Sequence, residues 1–117
     1  MAVTASRTVE ITYSGGVTGT EPLVAADNLV SPGQVEIRTL SAGANSITVP
    51  TAGATTVACT VVPPANNSTA ITLKGVTGDT GIHLHNTDPT SIALDPTVTT
   101  FVLTAAGTIT GVRLFWT

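Results

Sequence analysis

The feature that most constrains this chain is a period of two. From Arg7 onward, apolar residues occupy alternate positions, interleaved mainly with threonine, and each run stops at glycine, proline, aspartate or asparagine before a helical stripe can form. Successive side chains on a strand leave on opposite faces, so such runs make half-buried strands. No window carries a 3.6-residue apolar repeat or a helix start and stop signal, and an all-β fold follows.

The runs come in order. Arg7 to Tyr13 alternates Val9, Ile11 and Tyr13 with Thr8, Glu10 and Thr12, and Ser14-Gly15-Gly16 turns the chain. Val17 to Val30 is an irregular passage with a short strand expected at Leu23 to Ala25, closed by Ser31-Pro32-Gly33. Gln34 to Leu40 sets Val35 and Ile37 on one face and Glu36 and Arg38 on the other. A turn at Ser41-Ala42-Gly43 then leads to Asn45 to Val49, so the two segments read as a hairpin. Thr55 to Val62 has Val57, Cys59 and Val61 on one face and stops at Pro63-Pro64 and Asn66-Asn67. Four short strands follow at Ala70 to Lys74, Gly81 to Asn86, Ser91 to Leu94 and Phe101 to Thr104. The last run, Thr108 to Trp116, puts Val112, Leu114 and Trp116 on one face, which predicts a docked C-terminus.

Short strands at a spacing of roughly 8 to 12 residues predict a single-domain antiparallel β-sandwich, jelly-roll-like, of about 8 to 10 strands over residues 7–117, preceded by a flexible arm at 1–6. A chain of 117 residues buries enough surface to fold without metal or disulfide. Its lone cysteine, Cys59, flanked by Val57 and Ala58, reads as a small buried hydrophobe.

Composition then narrows the partners. Charged residues make up 9% of the chain, against about 25% in ordinary soluble domains, and threonine fills about a fifth of it. The surface is therefore largely neutral. Arg7, Arg38, Lys74 and Arg113 are scattered and the net charge is -3, so no basic stripe exists to neutralise phosphates, and nucleic acid is not an expected partner. The N-terminus lacks the basic start and apolar run of a secretory signal, and no run approaches the ~20 residues that span a bilayer. A soluble protein without a membrane partner is expected. A mean hydropathy of +0.40 then implies outer faces that bind other chains, and the single lysine leaves edge strands without their usual guard.

The stretch Leu73 to Leu94 concentrates the residues that could do chemistry. Asp79-Thr80-Gly81 has the letters of an aspartic protease triplet, in which two carboxylates share a proton. Those enzymes present the triplet after a hydrophobic strand, whereas Thr77-Gly78 precedes it here and no flap pattern follows. A glycine-rich turn explains the same letters. His83-Leu84-His85 would place both imidazoles on one face of a strand, as paired metal ligands require. In cupins such a pair is followed by a glutamate and a third histidine, and this chain has neither in place. Only a trimer with this strand on its axis could gather six imidazoles, and the alternative is that Ile82 and Leu84 fill the core while His83 and His85 face solvent or a partner. Gly75, Gly78 and Gly81 lack the cationic surroundings of a phosphate clamp. Asn67-Ser68-Thr69 reads as a turn rather than a glycosylation site, and no Ser/His/Asp or Cys/His set exists. Aromatic residues for sugar stacking are few: Tyr13, Phe101, Phe115 and Trp116.

Asn45-Ser46-Ile47-Thr48-Val49-Pro50, Pro63-Pro64 with Asn66, Ile71-Thr72-Leu73-Lys74-Gly75, Gly78-Asp79-Thr80-Gly81-Ile82 and Ile109-Thr110-Gly111-Val112-Arg113-Leu114 together resemble small virion proteins of tailed bacteriophages. The likeness covers most of residues 34–117 and rests on style and spacing. It implies a β-sandwich subunit, often trimeric, that cements a capsid or forms part of a tail. The expectation is a non-enzymatic capsid decoration protein, assembled into virions in the host cytoplasm. It would bind sister copies and the major capsid protein and need no cofactor. The alternative is a tail or fibre module that binds a host glycan through the loops at Gly78 to Gly81 and Asn86 to Pro89. Candidate interface residues are Gly78, Asp79, Thr80, His83, His85, Asn86 and Asp88.

Overall fold

The computed structural model describes residues 4–11, 23–30, 34–50 and 58–117. These form ten β-strands and no helix, so none of them supplies a membrane-spanning helix. The first two strands, β1 (Thr4–Ile11) and β2 (Leu23–Val30), pair antiparallel as a two-stranded sheet of their own. The other eight are β3 (Gln34–Leu40), β4 (Gly43–Thr48), β5 (Ala58–Val62), β6 (Ile71–Lys74), β7 (Ile82–His83), β8 (Thr90–Ala93), β9 (Thr100–Ala105) and β10 (Ile109–Trp116).

Those eight make two four-stranded sheets, ordered β3-β10-β5-β8 and β4-β9-β6-β7. Four of their pairings are nested: β3 with β10, β4 with β9, β5 with β8 and β6 with β7, all antiparallel. These eight strands thus make one long ribbon doubled back at the β6–β7 loop and rolled so that successive pairs fall in opposite sheets. Pairing of β10 with β5 and of β9 with β6 closes the roll. This is the strand order of a jelly roll, and the expected β-sandwich is what the chain forms.

The ribbon explains the one strand connection that the sequence misread. β3 and β4 do not form a hairpin; they lie in different sheets, because each pairs with a strand from the far end of the ribbon. Asn45 holds the corner between them. Its amide donates to the carbonyls of Ser41 (2.9 Å), Gly43 (3.1 Å) and Leu103 (3.0 Å), and its Oδ1 accepts from the Ser41 amide at 2.9 Å. Gly43 takes a φ of 100°, a turn conformation that costs a residue with a Cβ.

The two sheets enclose a core of Leu40, Ile47, Val49, Cys59, Val61, Ile71, Phe101, Leu103, Ala105, Ile109, Val112, Leu114 and Trp116. Phe101 of one sheet meets Trp116 of the other with ring centroids 6.1 Å apart, a tilted pair of the kind worth about 0.5–1.5 kcal/mol beyond its buried area. Val112, Leu114 and Trp116 point inward as their alternation predicts. Ile109 is buried too, although its parity is opposite. A register shift against β3 between Ile109 and Val112, with Gly111 at φ 79°, adds the one residue needed to turn both inward. The C-terminus is docked: Thr117 and Ala58 exchange both backbone hydrogen bonds at 3.0 Å.

Several strand limits differ from expectation. Thr4, Ala5 and Ser6 pair with Val30, Leu29 and Asn28, so β1 starts inside the segment expected as an arm, while residues 1–3 lie outside those described. The short strand expected at Leu23 to Ala25 extends to Val30, because β1 supplies a partner along its whole length. The run expected from Thr55 is described only from Ala58, and the turn at 14–16 also lies outside the described residues.

β3 keeps its predicted alternation but presents it as an edge strand, with Glu36, Arg38 and Leu40 on the inward side. Arg38 donates to Glu36 Oε1 at 3.2 Å and to the Ser46 carbonyl at 3.3 Å, and Trp116 Nε1 donates to Glu36 Oε2 at 3.4 Å. Inward-facing charge is one of the devices that discourage edge pairing, so this edge is guarded without lysine. Val35 and Ile37 consequently face outward, 55% and 74% exposed.

The turn before β9 supplies a pH-dependent element. Asp95 Oδ1 accepts from the Thr97 hydroxyl at 2.6 Å and from its amide at 2.9 Å, and these bonds, the hydroxyl first, hold the carboxyl below its ordinary value. The ionised form is favoured by folding, so the contribution is fully present above the unfolded value of ~4 and is lost as pH falls through the lowered folded value. Asp95→Asn should therefore lower unfolding stability near about pH 6, with the gap from wild type closing in the acid range. Denaturant titrations at both pH values check this.

Candidate functional site

The loops that gather the candidate residues sit at the tip of the ribbon, on either side of β7. Between β6 and β7 the chain makes a turn closed by Asp79. Its Oδ2 accepts from the amides of Gly75 (3.2 Å) and Val76 (3.0 Å), while its own amide donates to the Val76 carbonyl at 3.1 Å. The carboxylate of the Asp-Thr-Gly triplet is thus committed to its own loop. Asp79 and Thr80 are both exposed, as a turn residue pair should be.

Gly81 takes a φ of 78° and lies so close to β6 that a Cβ would stand 2.6 Å from the Leu73 carbonyl oxygen and 2.7 Å from Thr72 Cγ2. The third of these evenly spaced glycines therefore serves the close approach of the chain to β6 as it enters β7. Gly78, by contrast, has open space where a Cβ would stand.

The strand expected over Gly81 to Asn86 is only two residues long, Ile82–His83. Leu84 still donates to the Ile71 carbonyl at 2.9 Å and packs against the core, but Ile82, expected inside, is 66% exposed. The reason is its place on a two-residue edge strand, where it faces only the half-buried Leu73 across the ladder.

The geometry also separates the roles of the two histidines. His83 Nδ1 lies 3.2 Å from Thr72 Oγ1, its neighbour on β6. His85 lies beyond the strand, where its Nδ1 accepts from the amides of Asp88 (2.9 Å) and Thr87 (3.2 Å), with Asp88 Oδ1 3.8 Å away. Alternation places side chains on a common face only within a strand, so it does not reach His85. No group of three or more His, Cys, Asp or Glu suited to a metal ion occurs among the described residues, nor does any pocket.

A second loop braces this tip. Asn67 donates through Nδ2 to the Asn86 carbonyl (2.8 Å) and to the Thr69 carbonyl (2.9 Å), and its Oδ1 accepts from the Thr69 amide (3.1 Å). The Asn67-Ser68-Thr69 triplet is the turn its sequence suggested. Asn86 contributes its backbone, leaving Asp79, His85, Asn86 and Asp88 as exposed residues on two adjoining loops.

Cys59 is fully buried opposite Trp116. Burial, and then the Glu36 carboxylate, push its thiol up to about 12. Because only the thiolate reacts, its reactive fraction near neutrality is roughly a thousandfold below that of a free cysteine. A thiol reagent at about pH 8 should therefore label the native protein only as fast as it unfolds, and denaturant should release rapid labelling. Absorbance of the released chromophore measures both rates.

Sequence reasoning did not find the apolar outer face of the β3-β10-β5-β8 sheet. There the rows Ile37–Arg113–Val62 and Val35–Phe115–Thr60 run across three strands, and the Arg113 guanidinium lies 5.7 Å from the centre of the Phe115 ring. The alternation of Val35 and Ile37 was the available signal, but it does not say which side is inward. Compared with known proteins, the chain matches no family model, no curated protein and no solved structure.

Proposed function

We propose that this chain is a non-enzymatic structural subunit of a bacteriophage virion, a capsid decoration protein that self-associates as a trimer and binds the outer surface of the major capsid lattice. The observation that carries the reading is an outer sheet face with Ile37 74% and Val35 55% exposed, on a chain only 9% charged. Paired large apolar side chains on a weakly charged surface lose less by meeting another protein than by facing water. The jelly roll offers such faces as flat, rigid platforms. Its work is burial of area across shell seams, with no catalytic residue and no cofactor.

The exposed polar groups at the ribbon tip favour a second reading, a tail or fibre module that binds a host glycan. His85, Asn86 and Asp88 are exposed polar residues on the loop after β7, which Asn67 braces. Copy number in purified particles separates the two readings. Hundreds of copies over the shell are expected for decoration, and a handful at the tail end would overturn it. Selective binding on a glycan array, lost on Asn86→Ala, would establish the module instead.

A further inference from the structure

The β1–β2 hairpin pairs over eight positions, from Thr4 with Val30 to Ile11 with Leu23, and is hydrogen-bonded into neither four-stranded sheet. A two-stranded hairpin is marginally stable at best in water and requires a further strand or an apolar surface to support it. The outer face of the β3-β10-β5-β8 sheet is such a surface, and within one chain Val35 and Ile37 remain mostly uncovered.

We propose that this face, centred on Val35, Ile37 and Phe115, is the docking surface for the β1–β2 hairpin of a second copy of the chain. The connection supports exchange between copies: only residues 31–33 separate β2 from β3, so the hairpin leaves the sandwich at the strand that carries the apolar pair. Copies related by rotation then give and receive the same element, and a closed assembly supports every hairpin and covers every face without a third component. Charge agrees as well. The segment 4–30 carries Arg7 against Glu10, Glu21 and Asp27, a net of -2, whereas Arg113 is the one charged residue in the rows of the receiving face.

The inference rests on the self-association proposed above and adds the surfaces that make it. The full-length chain with p-benzoylphenylalanine at position 37 is mixed in unlabelled and nitrogen-15 forms, irradiated and digested for mass spectrometry. Cross-links joining position 37 of one isotopic form to residues 4–30 of the other are expected. Links confined to one copy, or links between copies that avoid residues 4–30, overturn the hairpin exchange. In sedimentation, Ile37→Lys should weaken self-association roughly thirtyfold or more while the melting transition stays cooperative, since Ile37 is outside the core. An unchanged oligomer overturns the proposal. A monomeric wild type at high concentration removes self-association itself, whereas an oligomer with other cross-links removes only the exchange.

Discussion

Deleting Leu114 to Thr117 should abolish the cooperative unfolding transition. β10 lies between β3 and β5, so the deletion removes the pairs that Leu114, Phe115 and Trp116 make on both sides, together with the Thr117–Ala58 backbone exchange. It also empties the centre of the core, where Leu114 is 0% and Trp116 1% exposed. Truncating a buried tryptophan to alanine alone costs about 3–5 kcal/mol. Whole domains are stable by only about 5–15 kcal/mol. Trp116→Ala should therefore leave a folded but weakened protein, and the four-residue deletion should leave none. Calorimetry and near-UV circular dichroism distinguish these outcomes, and a truncated chain that melts cooperatively would contradict the central role of β10.

Gly81→Ala is the second large effect, expected at about 2–3 kcal/mol. Two costs add: a left-handed φ of 78°, and a Cβ placed 2.6 Å from the Leu73 carbonyl oxygen. That oxygen belongs to the β6 backbone, on the side that pairs with β7, and cannot move without disturbing that ladder. Gly78→Ala is the matched control from the same loop. With open space and no left-handed φ, it should be neutral or slightly stabilising, because alanine restricts the unfolded chain. Urea titrations should move the midpoint for Gly81→Ala at unchanged slope. Equal effects of the two substitutions would show that the tight approach of Gly81 to β6 does not matter.

The same pair of glycines marks how far the ribbon tip could be read from its residues. Gly75, Gly78 and Gly81 are equivalent as letters, and their equal spacing announced a turn. Only the close approach to β6 of the chain entering β7 makes Gly81 irreplaceable, and only the fold of the loop turns the Asp79 carboxylate back onto the Gly75 and Val76 amides. His83 and His85 were equally alike on paper. Their separation follows from the end of β7 at His83, which depends on how much of β6 remains to pair with. The brace from Asn67 to Asn86 spans 19 positions and has no local signature.

What the amino-acid order determined by itself was local. Alternation is a property of neighbouring residues, and it suffices to make strands, to break them at glycine and proline, and to set Val112, Leu114 and Trp116 on one face. Tertiary structure decided everything that depends on distant partners. Nested pairing put β3 beside β10 and β4 beside β9, which removed the apparent hairpin between them. The bulge at Gly111 returned Ile109 to the core against its parity. The packing of one sheet on the other turned Glu36 and Arg38 inward and left Val35 and Ile37 in water. A period of two gives a strand two faces, and only the sheet packed against it decides which of them is inside.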